Sequence, residues 1–220
     1  MSGLAFQQQT LPLAYHEDSA VYFTLIRSLG HGVWLDSGFP TSEYARYDIL
    51  SAAPAVTLVT HGDHTAITTP DGTITSAQNP FELVKEYLGE LKSGLISDDV
   101  NLPFAGGAIG YFGYDLARRL EKLPATADVD GPLPDLCIGI YPWAIIQDHH
   151  RKTAYLVCNP TLAPSYNFLA IAELCEEAGK NKEFHESRNH FNVNIKTLKI
   201  NNFKSNIKVS SYIDSIKKIQ

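Results

Sequence analysis

Four glycines lie among aromatic residues in the segment 103–124, which then becomes amphipathic; they are Gly106, Gly107, Gly110 and Gly113. A glycine-rich turn before a helix can bind phosphate through its main-chain amides, so phosphate binding is the first chemistry to test. A dinucleotide-binding turn needs Gly-x-Gly-x-x-Gly after a parallel strand, and a P-loop ends in Gly-Lys-Ser/Thr; neither spacing is present. The segment instead predicts a β-strand whose glycines allow close backbone approach, with its aromatic residues in the core or on a sheet face.

The tripeptide Asp148-His149-His150 contains side chains that are typical of metal binding and of acid–base chemistry. It falls in a polar stretch between two β-rich runs, and the sequence offers no third ligand, so we expect solvated side chains at a turn. Asp115 and Arg118 have the helical i, i+3 spacing, which explains an ion pair without any substrate. No nucleophile, carboxylate pair or metal cage can be assembled, so we assign no catalytic residue and no metal ligand.

The composition indicates a globular protein with a core, since 44% of the residues are hydrophobic. The three cysteines, Cys137, Cys158 and Cys175, are odd in number and lack metal-ligand spacing, which favours buried free thiols. No apolar run approaches the roughly 20 residues that a bilayer span needs, and the N-terminus lacks the features of a signal peptide. We therefore expect a cytoplasmic protein that has no membrane partner.

The charge is unevenly distributed along the chain. Residues 180–220 carry nine Lys/Arg and three Asp/Glu, a net charge of +6, whereas residues 1–179 carry a net charge of −12. The basic residues of the tail are spread out rather than clustered, which favours a solvated linker over a nucleic-acid-binding surface. We expect no nucleic-acid partner.

The hydrophobic pattern predicts an α+β fold, mainly antiparallel sheet with a few flanking helices. We predict helices over 19–29, 81–92 and 164–178, and strands over 33–37, 47–51, 55–61, 138–147 and 153–158. Pro70-Asp71-Gly72 predicts one hairpin, and the polar residues 148–152 predict a second.

Four segments carry a family resemblance: LDSG at 35–38, YARYDILSAAP at 44–54, PFAGGAIGYFGYDLAR at 103–118 and LPDLCIGIYPWAIIQDH at 133–149. In this order and at these separations they resemble the N-terminal part of the aminodeoxychorismate synthase component I family. The match runs from about Tyr15 to the last residue. The anthranilate synthase large subunit is the near relative, but RYDI and the glycine-rich segment look more like the aminobenzoate branch.

The resemblance implies a chorismate-using enzyme of folate biosynthesis. In that family, ammonia from a glutamine amidotransferase partner is added to chorismate to give 4-amino-4-deoxychorismate. The family's catalytic lysine and the carboxylates that hold Mg²⁺ lie in a C-terminal chorismate-binding segment beyond Gln220, so we expect this chain to be inactive by itself.

The resemblance also implies part of a tryptophan pocket at the positions of Ser37 and of Tyr44-Ala45-Arg46-Tyr47. An amino-acid ligand needs acceptors for its ammonium group, a donor for its carboxylate and apolar walls. The acceptors can come from Ser37 and Asp48, the donor from Arg46, and the apolar walls from Tyr44 and Tyr47. Without the resemblance, Arg46 and Asp48 would be interpreted as an exposed ion pair. The LDSG segment departs from the LESA-like form of the feedback-inhibited relatives.

The predicted organisation is an N-terminal domain over 1–179, a linker over 180–204 and, over 205–220, the opening helix of a chorismate-binding domain that the chain does not complete. A serine can cap this helix, and its apolar stripe follows helical spacing: Tyr212, Ile213, Ile216 and Ile219. Two functions remain open. The first is the N-terminal part of a chorismate-using subunit, either the aminodeoxychorismate synthase subunit or, as the alternative, an anthranilate synthase component I fragment. The second is a non-catalytic amino-acid-binding or docking remnant.

Overall fold

The computed structural model describes residues 9–89, 102–121, 133–163 and 166–180, together with Ser210, Ile213 and Lys217. The chain divides into two compact units, Met1–Lys182 and Glu183–Gln220. In the second unit the three described residues are helical and exposed, whereas the predicted linker and the rest of the predicted last helix lie outside the described residues. The assignment of that unit to a chorismate-binding domain stays a prediction.

The first unit contains ten strands and three α-helices among its described residues. The strands are β1 Gln9–Leu13, β2 Val33–Leu35, β3 Tyr47–Ser51, β4 Val56–His61, β5 His64–Thr69, β6 Gly72–Ser76, β7 Gly107–Phe112, β8 Leu136–Tyr141, β9 Trp143–Asp148 and β10 Thr153–Cys158. The helices are α1 Ala20–Ile26, α2 Pro80–Leu88 and α3 Phe168–Lys180, and two 3₁₀ segments cover Arg27–Leu29 and Tyr114–Arg119. This content confirms the predicted α+β class.

The strands form two five-stranded sheets in which every pairing is antiparallel. Sheet A has the order β1-β10-β9-β3-β2, and sheet B has the order β6-β5-β4-β8-β7. Both predicted hairpins are confirmed, as β5–β6 and β9–β10. The strand β1 was not predicted, because Pro12 is unfavourable in a strand except at a sheet edge, which is the place that β1 occupies.

The single strand predicted over 138–147 is wrong. The structure divides this run at Pro142 into β8, next to the edge strand of sheet B, and β9, in the middle of sheet A. Proline lacks a main-chain N–H and cannot continue a ladder in the interior of a sheet, so the chain bends there and enters the other sheet. The strands β3 and β4 also pass from sheet A to sheet B.

Sheet A is covered on both faces by apolar side chains. One face packs against α1 and α3 through a cluster that includes Tyr22, Ile26, Leu50, Trp143 and Ile171. The opposite face packs Ala144, Ile146 and Val157 against Leu102. Because side chains alternate along a strand, β9 serves both clusters, and all six of its residues are buried. Two of these six are polar, Gln147 and Asp148, and they lie at the end where the candidate site is found.

The glycine-rich segment forms β7, and the predicted close approach is confirmed. A Cβ atom on Gly110 would lie 2.0 Å from the carbonyl oxygen of Cys137 on β8. The aromatic residues that follow are not in the core: Tyr111, Phe112 and Tyr114 are 42%, 50% and 95% exposed. Phe112 stacks on Phe81 of α2, with ring centroids 5.3 Å apart, so one side of that ring is covered.

The helix α2 begins as predicted, because the side-chain oxygen of Asn79 accepts a hydrogen bond from the N–H of Phe81 at 2.9 Å and Pro80 occupies the first turn. It ends at Leu88, before the predicted end, and the residues after Gly89 lie outside the described part. Among the helices that the structure describes, none has both the length and the apolar character for a bilayer span.

Candidate functional site

Asp48 and Ser37 form the centre of the candidate site. The carboxylate oxygen Oδ1 of Asp48 accepts two hydrogen bonds from Ser37, one from its N–H at 2.9 Å and one from its hydroxyl at 2.8 Å. Ser37 follows β2 at the edge of sheet A, and Asp48 is the second residue of the neighbouring strand β3. These hydrogen bonds join the two chain segments beyond the last ladder pair of β2 and β3, which is Leu35 with Ile49.

The second oxygen of Asp48 is held by a directional chain of hydrogen bonds. The hydroxyl of Ser19 donates to Oδ2 at 2.6 Å, and Nε2 of Gln147 donates to that hydroxyl at 2.6 Å. The N–H of His16 donates to Oε1 of Gln147 at 2.8 Å, which fixes which end of the amide faces Ser19. Sequence reasoning missed Ser19 and Gln147, although a polar residue at the end of an apolar strand signals a buried polar network.

His149 corrects the prediction of a solvated turn. Its side chain is 1% exposed, its Nδ1 is 3.0 Å from the hydroxyl of Tyr15, and its ring stacks on Phe39 with a centroid distance of 4.2 Å. Its Nε2 is 3.2 Å from Oδ2 of Asp48 but makes no well-directed hydrogen bond to a described group. By stacking on Phe39, the His149 ring therefore fixes the segment that follows Ser37, and Asp48 fixes Ser37 itself.

Arg46 and Asp48 are not ion-paired to each other, so the alternative reading of an exposed pair is wrong. Nη2 of Arg46 lies 3.0 Å from Oδ2 of Asp148, and its Nε lies 3.3 Å from the same oxygen. Asp148 also accepts from the N–H groups of His150 and Arg151, both at 3.1 Å. Asp148 is thus the acceptor that closes the β9–β10 turn, which a sequence pattern cannot show because its partner Arg46 is 102 residues away.

The alternation of β3 separates the candidate residues. Asp48 pairs in register with Gln147, and Tyr47 pairs with Asp148, so Asp48 and Tyr47 point to opposite faces of sheet A. The guanidinium carbon of Arg46 lies 4.5 Å from the ring centroid of Tyr47, so the Arg46–Asp148 pair belongs to the Tyr47 side.

The other two predicted residues differ in exposure. Tyr44 is 87% exposed, which leaves its ring free to contact a ligand or another chain segment. Ala45 is buried, and its N–H donates to the carbonyl of Ser42 in the turn that leads into β3. The structure describes all five predicted residues, and their role as a ligand pocket stays a prediction.

Both carboxylates of the site remain ionised at neutral pH. Burial alone would raise the pKa of Asp48, but the hydrogen bonds from Ser19 and Ser37 outweigh it and hold that pKa below its ordinary value. Burial likewise opposes the ionisation of Asp148, but the contacts of Arg46 and the turn N–H groups lower its pKa. Burial, followed by the nearby carboxylates of Glu17, Asp48 and Asp148, raises the pKa of Tyr15, which keeps its phenol protonated.

Within the described ranges, no three His, Cys, Asp or Glu side chains are arranged to hold a metal ion. Both oxygens of Asp48 accept hydrogen bonds from serine groups, and Asp148 is paired with Arg46. These carboxylates do not fit a Mg²⁺ site, which needs oxygen ligands with free lone pairs in an octahedral arrangement.

Comparison with known proteins gives a consistent family. A sequence profile described as chorismate binding enzyme matches residues 31–220. Aminodeoxychorismate synthase component 1 of Klebsiella aerogenes is 43% identical over 147 residues, which are 66% of this chain and 32% of that protein. The protein of the same name from Escherichia coli is 38% identical over 148 residues, 67% of this chain and 32% of that protein.

Anthranilate synthase component 1 of Acetivibrio thermocellus is 32% identical over 119 residues, 53% of this chain and 24% of that protein. A crystal structure of anthranilate synthase component I from Streptococcus pneumoniae matches with a TM-score of 0.49 at 22% identity, over 70% of this chain and 33% of that chain. The chain therefore spans about a third of the length of the aminodeoxychorismate synthase relatives that it matches.

Proposed function

Because this chain belongs to the chorismate binding enzyme family, we propose that it forms the N-terminal part of the chorismate-aminating subunit of an aminodeoxychorismate synthase. The proposed reaction converts chorismate and ammonia to 4-amino-4-deoxychorismate, with ammonia supplied by a glutamine amidotransferase partner. The observation that carries the proposal is the higher identity to the aminodeoxychorismate synthases, 38% to 43%, than to two bacterial anthranilate synthases, 32% and 34%.

The described residues contribute a scaffold and a ligand site to this function rather than reacting groups. Asp48, Asp148 and His149 are the buried charged or titratable groups of the site, and each is engaged by its neighbours. These side chains take part in no metal-dependent step, and the proposed requirement for Mg²⁺ belongs to the complete enzyme.

We further propose that Ser37, Tyr44, Ala45, Arg46 and Tyr47 line part of a site for an aromatic amino acid, with tryptophan as the candidate. Because Arg46 and Tyr47 lie on the opposite face of sheet A from Asp48, the proposed site is at the edge of the sheet, where both faces can be reached. The support is chemical. The hydroxyl of Ser37 is at the edge of a sheet with lone pairs that can accept from an ammonium group, and Tyr44 offers an exposed ring. Arg46 is bound to Asp148, so it can reach a ligand carboxylate only with the N–H groups that this pair leaves unused.

The amination proposal is tested with purified chain, chorismate, Mg²⁺ and a high concentration of ammonia, which makes the amidotransferase unnecessary. One reaction contains the chain alone. A second also contains the part of the Klebsiella aerogenes relative that follows the matched region, supplied as a separate polypeptide. We expect 4-amino-4-deoxychorismate only in the second reaction, and that part of the relative without our chain is the control.

The segment that the chain complements identifies the family branch. A third reaction replaces the Klebsiella aerogenes segment with the corresponding part of the Acetivibrio thermocellus anthranilate synthase, and product in that reaction but not in the second would overturn the proposal. No product in the second reaction, from a mixture that forms a stable complex, would instead favour a non-catalytic binding or docking module. Product from the chain alone would contradict the placement of the reacting groups outside the described residues.

The amino-acid site is tested by isothermal titration of the chain with L-tryptophan. We expect saturable binding that is weakened by Ser37→Ala. The matched control is Ser51→Ala, which removes a buried hydroxyl from the same strand pair, where it donates to the carbonyl of Trp143 at 2.7 Å. Equal affinity in the Ser37→Ala variant and the unsubstituted chain would remove Ser37 from the site.

A further inference from the structure

We propose that Asp48 is a positioning residue that acts through Ser37 and makes the site selective for ligands with a cationic amine. This inference rests on the proposed amino-acid site and names what determines its selectivity. It also changes the role that the sequence suggested for Asp48, because the carboxylate was expected to accept from the ligand directly.

The carboxylate of Asp48 is buried and fully engaged. The Asp48 side chain is 5% exposed, and each of its oxygens already accepts from a serine hydroxyl. A ligand at the sheet edge therefore meets Ser37 and not Asp48. The carboxylate can act on such a ligand only through the group that it orients.

The Ser37 hydroxyl has a single proton, and Asp48 takes it up in a hydrogen bond. An ionised carboxylate can only accept hydrogen bonds, so at 2.8 Å the hydroxyl of Ser37 must donate to Oδ1. That donation uses its one proton and leaves only lone pairs for a further partner. Any ligand group that bonds Ser37 Oγ therefore has to be a donor, and an α-ammonium group carries three N–H donors.

The rest of the network prevents the direction of this hydrogen bond from reversing. The N–H of His16 cannot accept, so Gln147 must present its amide nitrogen to Ser19, and Ser19 then has its proton available for Asp48. Every hydrogen bond in the network from His16 to Ser37 has a fixed direction, because the main-chain N–H at one end can only donate and the carboxylate in the middle can only accept. Such chains of aligned bonds strengthen one another in a buried environment.

The position of the Ser37 hydroxyl is also fixed. The N–H of Ser37 is bound to the same oxygen as its hydroxyl, and Phe39 stacks on His149 two residues later. The backbone of this segment is held at both points, so Ser37 presents its lone pairs in one orientation rather than adapting to the ligand. A preorganised group of this kind discriminates against a ligand that lacks a donor, because such a ligand leaves the group without a hydrogen bond.

The test compares two probes, L-tryptophan and indole-3-propionate, which share the indole and the carboxylate but differ in the ammonium group. By isothermal titration of the full chain at pH 7.5, we expect tryptophan to bind roughly 10- to 100-fold more tightly, as expected for one hydrogen bond to a charged group. In Asp48→Asn, tryptophan should lose about that factor while indole-3-propionate changes by less than about twofold. The amide oxygen can still accept from both Ser37 groups, but it lacks the negative charge that makes the Ser37 lone pairs attractive to an ammonium group, so the preference for a cationic donor is lost.

Asp135→Asn is the control at a distant carboxylate, because Asp135, directly before β8, accepts the main-chain N–H of Gly62 in the β4–β5 turn at 2.7 Å. We expect it to retain the discrimination. Ser37→Ala should also abolish discrimination, and Ser37→Thr should restore it, since threonine keeps the hydroxyl that donates to Asp48. If Asp48→Asn does not fold, as judged by its thermal melt, the comparison of Ser37→Ala with Ser37→Thr decides the question.

The double variant separates positioning from direct contact. In the Ser37→Ala background, Asp48→Asn should have no further effect on the ratio of the two affinities, because Asp48 acts through the removed hydroxyl. A further loss specific to tryptophan would mean that Asp48 contacts the ligand, and equal losses for both probes would mean a structural role; either result overturns the inference. If the unsubstituted chain binds both probes equally, the inference fails while the ligand site stands, and if it binds neither, the proposed site itself fails.

Discussion

Arg46 and Asp148 are joined across sheet A by two nitrogens of one guanidinium group, with Nη2 3.0 Å and Nε 3.3 Å from the same carboxylate oxygen. The two partners are unequal. The Asp148 side chain is 4% exposed and Arg46 is 38% exposed, so the acid carries the larger desolvation cost and also accepts from two turn amides.

This inequality predicts unequal effects of substitution. Asp148→Ala removes the acceptor for the N–H groups of His150 and Arg151 as well as the partner of Arg46, and we expect a loss of about 2 to 3 kcal/mol in the free energy of unfolding. Arg46→Gln leaves the two turn bonds in place and should cost less. Urea titrations of both variants measure the difference, and a larger loss for Arg46→Gln would contradict the assigned role of Asp148.

Acid should destabilise the protein through the two carboxylates of the site, Asp48 and Asp148. The folded-state pKa values of Asp48 and Asp148 lie below their ordinary values, so the unfolded chain takes up protons first as the pH falls. Their contribution is complete above the ordinary pKa and is lost as the pH falls through the lower, folded-state values, which places the loss below about pH 5. Urea titrations at pH 5, 4 and 3 should show a steep decline, and Asp48→Asn should make it shallower. An unchanged slope in that variant would remove Asp48 from the explanation.

Gly110→Ala should be far more costly than Gly72→Ala. Both glycines have a positive φ, +154° and +134°, so the two substitutions bear a similar backbone cost of about 1 kcal/mol. The Cβ on Gly110 would also lie 2.0 Å from the Cys137 carbonyl oxygen, whereas nothing lies within 4 Å of a Cβ on Gly72. Because β7 can only relieve that clash by moving away from β8, we expect Gly110→Ala to lose about 3 kcal/mol or more. Similar melting temperatures for the two variants would show that β7 is not closely packed on β8.

The three thiols should differ in reactivity. Cys158 and Cys175 are buried, and burial raises the pKa of each to about 12, whereas Cys137 is partly exposed. Since the thiolate is the nucleophile, iodoacetamide at pH 8 should modify Cys137 first in the folded protein and all three residues in urea. Peptide mass spectrometry over time identifies the sites. Early modification of Cys158 would show that the packing of β10 against α1 and α3 opens readily.

The sequence was sufficient for the elements that depend on local signals. The strand β3 was predicted with its observed bounds, the β5–β6 hairpin follows from Pro70-Asp71-Gly72, and Asn79 caps α2 as expected. In each case, neighbouring residues supply the turn, the cap or the alternation, so the information lies within a few positions.

The candidate site was predictable only in part, since its chemistry is assembled from distant positions. Ser19 is 29 residues from Asp48 and 128 from Gln147, and neither spacing carries a pattern. His149 was misjudged because its polar neighbours indicate a turn, while Tyr15 and Phe39, which bury its ring, come from elsewhere in the chain. Only the register of β3 with β9 shows that Asp48 and Gln147 share a face.

The passage of β8 into β9 at Pro142 has a consequence for synthesis on the ribosome. These strands are the neighbours of β4 and of β3, so sheet B cannot be completed until β8 has been made, and sheet A has to wait for both β9 and β10. Before then, β3 and β4 expose unpaired edges and half-buried apolar faces, the condition in which nascent chains aggregate or recruit chaperones. Pairing over such long sequence separations also makes folding slow. The second partners of β3 and β4 therefore both come from one short stretch, residues 136–148, which supplies the central strand of sheet A and the strand next to the edge of sheet B.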